Sequence, residues 1–403
     1  MSTQNAASAS EFHVSIQSKA IDNHQMVTCT VTQDMGQPDM CAITLRNEDH
    51  SFSDLYQPGD AVQITAGSEK KVVFTGDVVA MHPEYKSNGR NVIIVRAFNK
   101  LHALTRGRKS ITYVGVSDED IVGRIAGRNS MAPSCGELAS SPAHDHVYQR
   151  NQTDLEFLRT RAERIGYSVW LDSSDGKTLH FNAPNASEDS GLKLRYGDAE
   201  TAVGKEAVFL KRFSPRLSSA NVLEEVEVRG WDPVKKEEII AVAPKGGQRF
   251  SALGTGVARS MPRHEQPQTA EAETDQAGGD SGKKSSGSMD KKKLKSFTVD
   301  HPIYSTEEAQ KLADAKLAQA SLSYMTGEGE CRGTPELRPG TVIEIIVNPD
   351  RPQDRFNGKY LVVGATHKYS ADKTGDESGY VTSFRVCRDA EGGEAGSDKG
   401  KSS

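Results

Sequence analysis

Between Phe12 and Phe98 apolar and polar residues alternate in six successive stretches, and this alternation restricts the fold more than any other feature. The stretches read "HVSIQS", "MVTCTVTQ", "CAITLRN", "AVQITAG", "VVFTGDVVAMH" and "NVIIVRAF". A period of two puts every second side chain on one face, which describes half-buried strands and not helices. Short spacings with turn signals at Pro58-Gly59 and Asn88-Gly89 predict a β-barrel or sandwich.

The same text returns near the other end. "LYQPGDAVQI" from Leu55 matches "LRPGTVIEI" from Leu337: leucine, a Pro-Gly turn, then a strand ending in isoleucine. Both copies continue through an apolar strand that carries glycine and ends in histidine, His82 and His367. A tyrosine follows each, Tyr85 and Tyr369, and the strands "NVIIVRAF" and "YVTSFRV" close the copies. A single Pro-Gly match means little; the shared order predicts two related barrel modules flanking a middle region. Two unrelated meanders with similar turns are the plainer alternative.

The middle is mixed. Ser117 is a helix N-cap with acids in the first turn, Ile121, Val122, Ile125 and Ala126 on one face, and Gly127 as the stop. In "VYQRNQTDLEFLRTRAERIGYSVWL", Val147 to Leu171, Thr153 and Glu156 have capping-box spacing. Leu155, Leu158, Ala162 and Ile165 form one stripe, and Gly166 is the C′ residue. Arg159, Arg161, Glu163 and Arg164 fall off that stripe, toward solvent or a partner. "YSVWL" and "TLHFNAP" form a hairpin, and further strands run from Leu192 to Val242.

From Gly254 to Ser296 the composition changes to Gly, Ser, Gln and Ala, with acids first and lysines from Lys283 to Lys295. Such a stretch buries no core and is expected to be a disordered or extended linker. The lysine run suits either an electrostatic contact or, more plainly, a solvated segment. Ser305 and Glu308 then start an Ala-rich helix with Ala309, Leu312, Ala313, Leu317 and Ala320 on one stripe, and strands resume to Arg388. An apolar content of 35% with 6% aromatics suits thin barrels and long loops. The expected organisation is an N-terminal arm (1–11), a first β-barrel module (12–110), a middle α+β region (111–253), the linker (254–296), a helix plus second barrel module (297–388) and a polar tail (389–403). The fold class is α+β, mainly β.

Few residues suggest chemistry. A net charge of −5 gives no basic field for nucleic acid. Five cysteines, an odd number without a C-x-x-C pair, argue against a disulfide framework and a zinc site. The N-terminus has no basic n-region and no apolar h-region, so no Sec signal peptide is expected, and no run of about eighteen apolar residues occurs. No phosphate loop, nucleophile elbow or H-E-x-x-H occurs, and "GTGVAR" at Gly254 lacks the third glycine of a dinucleotide loop. His144 and His146 in "HDH" would share a strand face and could bind a metal, but no third ligand is identifiable. Glu224 and Glu225 point to opposite faces of a strand, which is poor for paired carboxyl catalysis. Cys41 or Cys135 as nucleophile lacks a base. No catalytic, cofactor-binding or metal residue is assigned, and no enzyme activity or cofactor is expected.

The helix and hairpin from Val147 through "DGKTLHF" resemble the core signature of phage late control gene D proteins. The same signature occurs in the hub portion of type VI secretion valine–glycine repeat proteins. Gln149, Thr153, Asp154, Leu155, Phe157, Leu158, Ala162, Glu163, Gly166, Leu179 and Phe181 fall on that pattern. The helix from Ser117, the charged linker, the helix from Ser305 and the closing strands with Gly379-Tyr380-Val381-Thr382 are similar to the family's too. The likeness runs from about residue 12 to 388. It implies the central baseplate hub of a contractile tail or injection particle. Such a hub is a homotrimer whose six barrels form a pseudo-six-fold ring between a six-fold tail tube and a three-fold spike. Secretion-system relatives continue into a further barrel and a spike helix, whereas this chain stops at Ser403. The expected partners are therefore itself, a separate spike protein, the tail tube or its initiator and other baseplate proteins, with no membrane insertion and no nucleic acid. The expected place is a virion tail or tail-like particle, after synthesis in the bacterial cytoplasm. A tail-associated cell-wall hydrolase, or a carbohydrate- or nucleic-acid-binding module, is the alternative.

Overall fold

The computed structural model describes residues 12–371, apart from 88, 137–142, 184–188, 198–206, 221, 224, 233–234, 245–252, 254–294, 299–302 and 304, together with residues 379–389. The N-terminal arm, nearly all of the charged linker and the tail beyond Asp389 lie outside the described residues.

The alternating stretches form strands β1 (Phe12–Ile16), β3 (Met26–Asp34), β4 (Met40–Arg46), β5 (Ala61–Ala66), β6 (Lys71–Glu84) and β7 (Val92–Phe98), with a two-residue β2 (Lys19–Ala20). Burial alternates as the pattern demands, for example on β1 and β4. The strands wrap in the order β3-β4-β7-β6-β5-β1 round one core that holds Phe12, Ile43, Leu45, Phe74 and Ile93.

The middle holds β8 (Lys109–Val116), α1 (Asp118–Arg128), β9 (Ala132–Ser134), β10 (His144–Gln152), α2 (Asp154–Glu163), β11 (Ser168–Leu171) and β12 (Thr178–Asn182). Both helices carry reciprocal capping boxes, Ser117 with Asp120 and Thr153 with Glu156. Helix α1 runs past Gly127, which is not the stop; Asn129 closes it by donating its backbone N–H to Ala126 O. Past the end of α2 the chain turns at Gly166, with φ +71° and Tyr167 N–H donating back to Ala162 O at 2.9 Å, and Ala315 stands 3.0 Å from where a Gly166 Cβ would be. Leu155, Leu158 and Ala162 are buried as the stripe predicts, and Phe157 is buried beside them, stacked on Tyr113 at 5.7 Å. Burying Leu155, Phe157 and Leu158 contributes about 1.5–3 kcal/mol each as an upper bound.

Six further strands and one helix follow the hairpin: β13 (Asp189–Tyr196), β14 (Val208–Leu217), β15 (Glu225–Asp232), β16 (Glu237–Pro244), β17 (Lys295–Thr298), α3 (Thr306–Leu322) and β18 (Met325–Arg332). The last strands are β19 (Val342–Ile346), β20 (Gly358–Ser370) and β21 (Gly379–Arg388). Lys295 and Ser296, read as linker, open β17 and pair in parallel with β15. Helix α3 packs Ala309, Leu312, Ala313 and Leu317 on β15 and β16.

The second module is a closed six-stranded barrel in the order β14-β18-β21-β20-β19-β13, with β13 also paired to β14. Two of its strands, β13 and β14, come from residues read as part of the middle region. Alternation reveals a strand but not which sheet it joins, because pairing is a long-range contact. The two barrels share one sheet of thirteen strands, since Gly364–Ser370 of β20 pair antiparallel with Thr28–Asp34 of β3.

The repeat holds to single hydrogen bonds. After Pro58, Gly59 N–H donates to Val78 O at 2.8 Å, and Val78 N–H returns to Asp60 O at 2.8 Å. After Pro339, Gly340 N–H donates to Val362 O at 2.8 Å, and Val362 N–H returns to Thr341 O at 2.9 Å. Both glycines have positive φ, +99° and +85°, a conformation that favours glycine. The register shifts directly afterwards in each copy, between Val78 and Ala80 and between Val362 and Gly364. A second matched shift separates Met26 from Thr28 on β3 and Leu210 from Arg212 on β14. Counting from these shifts, Tyr85 is equivalent to Tyr369, as the sequence suggested. The histidines are not equivalent: His82 matches Thr366, and His367 matches Pro83.

Candidate assembly surface

The family-signature residues make a structural network. Gln149 Nε2 donates to Gln152 O at 3.0 Å and to Asp154 Oδ1 at 3.1 Å. This braces a turn in which Asn151 has φ +45° and the β10 register shifts. Asp154 is buried and receives Lys109 Nζ at 2.6 Å. A second buried carboxylate, Asp118, opens α1. Arg161 Nε donates to its Oδ1 at 2.8 Å and Nη2 to its Oδ2 at 3.1 Å. Arg161 is only 7% exposed, so its expected outward direction is wrong. It fastens α2 to α1, and a 3.6-residue period could not show this because the partner lies 43 residues away. Glu163 is exposed, and Arg164 Nη1 lies 3.8 Å from Glu308 of α3. Burial pushes the Asp118 carboxyl up, but hydrogen bonds from His144 and Arg161 outweigh it and hold the group below its ordinary value.

That network also accounts for the "HDH" stretch. His144 Nε2 lies 2.7 Å from Arg161 Nη2 and 3.1 Å from Asp118 Oδ2, while His146 is exposed. Among the described residues no group of three His, Cys, Asp or Glu side chains could hold a metal ion. Glu225 is buried on β15, and Glu224 and the Gly254 stretch lie outside the described residues. Cys41 is buried with its thiol pushed up by burial and by Cys29, and burial lifts Cys135 to about 11. Neither is a ready thiolate nucleophile. No helix among the described residues is long and apolar enough to cross a membrane.

The extended surface is the outward face of the shared sheet. Thr28, Thr30 and Thr32 of β3 alternate with buried residues, as do Thr366 and Lys368 of β20 and Ser383 and Arg385 of β21. Glu328 and Glu330 of β18 and Arg212, Ser214 and Arg216 of β14 continue this polar face. A shallow depression lined by Thr32, Arg212, Glu328, Thr366, Ser383 and Arg385 runs across the five strands from β14 to β3. Several contacts lock the barrels together. Lys71 Nζ meets Glu336 Oε1 at 2.7 Å, Arg338 Nη2 donates to Val72 O at 2.8 Å, and Arg385 pairs with Asp34. Phe12 stacks on Tyr369 at 5.5 Å and packs against Tyr380 at 5.2 Å.

The hairpin β11–β12 docks on the first barrel. Gln33 Nε2 donates to Ser173 Oγ at 2.9 Å, and Ser173 lies 3.5 Å from Asp39. Burial lifts the Asp39 carboxyl to about 7, against hydrogen bonds from Asn99, Ser173 and Gln33.

The sequence profile of the family described as "Alg8 N-terminal domain" matches residues 7–253 and 258–371. The chain belongs to that family. No curated protein matches the sequence. Among solved structures, this member of the Alg8 N-terminal-domain family resembles the tail protein of prophage MuSo2 from Shewanella oneidensis. The TM-score is 0.63 at 14% identity, over 94% of this chain and 99% of that one. The tail protein of Neisseria meningitidis MC58 gives a TM-score of 0.63 at 15% identity, over 94% and 97%. A component of the Escherichia coli type VI secretion system, itself described as similar to T4 bacteriophage tail proteins, gives 0.52 at 12% identity, over 93% and 76%. The likeness is one of fold, shared over nearly the whole chain with the two tail proteins.

Proposed function

We propose that the chain is the structural central hub of a contractile tail or injection particle. Three copies form a ring of six barrels that joins a six-fold tail tube to a three-fold spike. The observation that carries this reading is the duplication: two barrels per chain, equivalent down to turn hydrogen bonds and register shifts, share one sheet. Three such chains supply six like units, and a heterologous contact whose rotation closes makes a ring. The whole-length likeness to tail proteins supports it. The partners are further copies, a separate spike protein, the tail tube or its initiator, and neighbouring baseplate proteins. The function is one of shape and interfaces, without an enzyme site.

Mass by light scattering, and electron microscopy with and without the neighbouring spike protein, test the proposal. A trimer with six-fold-like density on one face is the expected result. A chain that stays monomeric and joins neither tube nor spike refutes it.

The family name raises a second reading, since it belongs to a glycosyltransferase-associated domain. Sugar-nucleotide sites in doubly wound folds sit at the ends of parallel strands. Here most pairings of the shared sheet are antiparallel. Calorimetry with nucleoside-diphosphate sugars discriminates: saturable binding favours the second reading, and no heat favours the hub.

A further inference from the structure

The pairing of β20 with β3 joins one barrel to the next, and each of those strands has an equivalent in the other barrel. The equivalent of β20 is β6, and the equivalent of β3 is β14. Among the described residues, neither equivalent edge is paired. From Ala80 to Glu84, β6 is bound on one side only, by β7, the other side of Val78 being taken by Gly59 and Asp60. From Arg212 to Leu217, β14 is bound on one side only, by β18. We propose that these two edges pair antiparallel between neighbouring copies of this chain, with the register of the β20–β3 ladder. This rests on the hub reading and specifies the contact that would close its ring.

The register follows residue by residue from the matched shifts. Ala365, His367 and Tyr369 face Gln33, Val31 and Cys29 within the chain. Their equivalents set Met81, Pro83 and Tyr85 opposite Leu217, Pro215 and Phe213 of the next copy. One face of the new ladder is thus wholly apolar. On the other face His82 and Glu84 meet Arg216 and Ser214, so Glu84 lies diagonal to Arg216 and Arg212. A slip of one residue would set the apolar row against the charged one.

Two observations favour a second copy as the occupant. Tyr85 is 58% exposed and Leu217 37%, yet Tyr369, the equivalent of Tyr85, is packed against the first barrel core and stacked on Phe12. The prolines also coincide. Lys86 N–H points toward β7, bonding Asn91 Oδ1, so Pro83, three residues earlier, faces the free edge. Ser218 N–H bonds Tyr324 O on the β18 side, so Pro215 faces the other free edge. Both donor-free positions fall on one rung, and the rungs of Met81 with Leu217 and Tyr85 with Phe213 keep both hydrogen bonds. In the isolated chain the same prolines leave no N–H exposed there, which suits strands that wait unpaired.

The test is disulfide trapping in the full chain. Glu84 and Ser214 form a non-hydrogen-bonded pair in this register, where Cα atoms stand about 4.5 Å apart, within disulfide reach. A mixture of Glu84→Cys and Ser214→Cys chains is oxidised, beside the double variant. Lys368→Cys with Thr30→Cys, the equivalent pair within one chain, serves as control. The expected products are a cross-linked dimer from the mixture, a covalent trimer from the double variant, and an intrachain bond in the control. In addition, Tyr85→Asp weakens self-association roughly tenfold or more while leaving the circular dichroism unchanged. A trimer by light scattering that yields no Glu84–Ser214 cross-link overturns the edge pairing and leaves the hub reading intact. A chain monomeric at every concentration overturns both.

Discussion

Replacing Arg161 with methionine tests the ion pair that fastens α2 to α1. The side chain keeps much of its apolar stem, so packing changes little, but the guanidinium that makes both bonds to Asp118 is gone. Asp118 is then a carboxylate that is 4% exposed with only His144 beside it. Removing one partner of a buried pair costs about 3–5 kcal/mol, whereas removing both costs far less. Arg161→Met is therefore expected to lose about 3–5 kcal/mol, and Asp118→Ala with Arg161→Met to recover at least roughly 1–2 of it. The assay is urea unfolding followed by the fluorescence of Trp170, in a Trp231→Phe background because the chain has two tryptophans. Trp170 lies on β11, which belongs to the same core as both helices. The pH dependence gives a second reading. The depressed Asp118 pKa contributes stability above the unfolded carboxylate range, and this is lost as pH falls through the folded value. In the variant only His144 still opposes burial, so that pKa rises and the deficit against the parent shrinks as the medium is acidified. A loss below about 1 kcal/mol, a double variant worse than the sum of the single ones, or a deficit that grows in acid refutes the reasoning.

Three other outcomes are expected. Asp39 has its pKa raised from 3.8 to about 7, so its stability contribution is present below the unfolded pKa and lost as pH rises through about 7. Asp39→Asn should thus raise the melting temperature at pH 8, by up to about 4 kcal/mol in stability, and change it little at pH 4; differential scanning calorimetry at both values checks the sign. Gly76→Ala would put a Cβ 2.2 Å from Phe98 O and 2.7 Å from Phe74 Cζ, so β6 or β7 must shift, costing about 1–3 kcal/mol in chemical denaturation. Thr153→Ala removes the oxygen that accepts Glu156 N–H at 3.2 Å and should cost about 1 kcal/mol by the same Trp170 assay, with no change in oligomer mass.

Much of the architecture could be read from local chemistry. Period-two alternation marked β1 and β3 to β7, and Ser117, Thr153, Ser305 and Gly166 marked helix ends, because these signals lie within a few residues of what they specify. The tail-hub likeness rested on Gln149, Thr153, Asp154 and their neighbours, and in the structure Gln149 braces the turn at Asn151 while Gln149 and Lys109 satisfy the buried Asp154 carboxylate. Other features escaped. Arg161 counted as an outward residue since its partner Asp118 is distant in sequence. His82 and His367 counted as counterparts because a register shift is invisible in the letters.

Sequence alone determined that the chain holds two similar β modules with a capped helical insert, since alternation, turns and caps are properties of neighbouring residues. It did not determine that β13 and β14 complete the second barrel, that β20 runs into β3 as one sheet, or that, among the described residues, β6 and β14 are left with open edges. Those features depend on which strands meet, and strand pairing is decided by the burial of faces and the register of hydrogen bonds over separations of up to hundreds of residues. Only the tertiary structure contains that information.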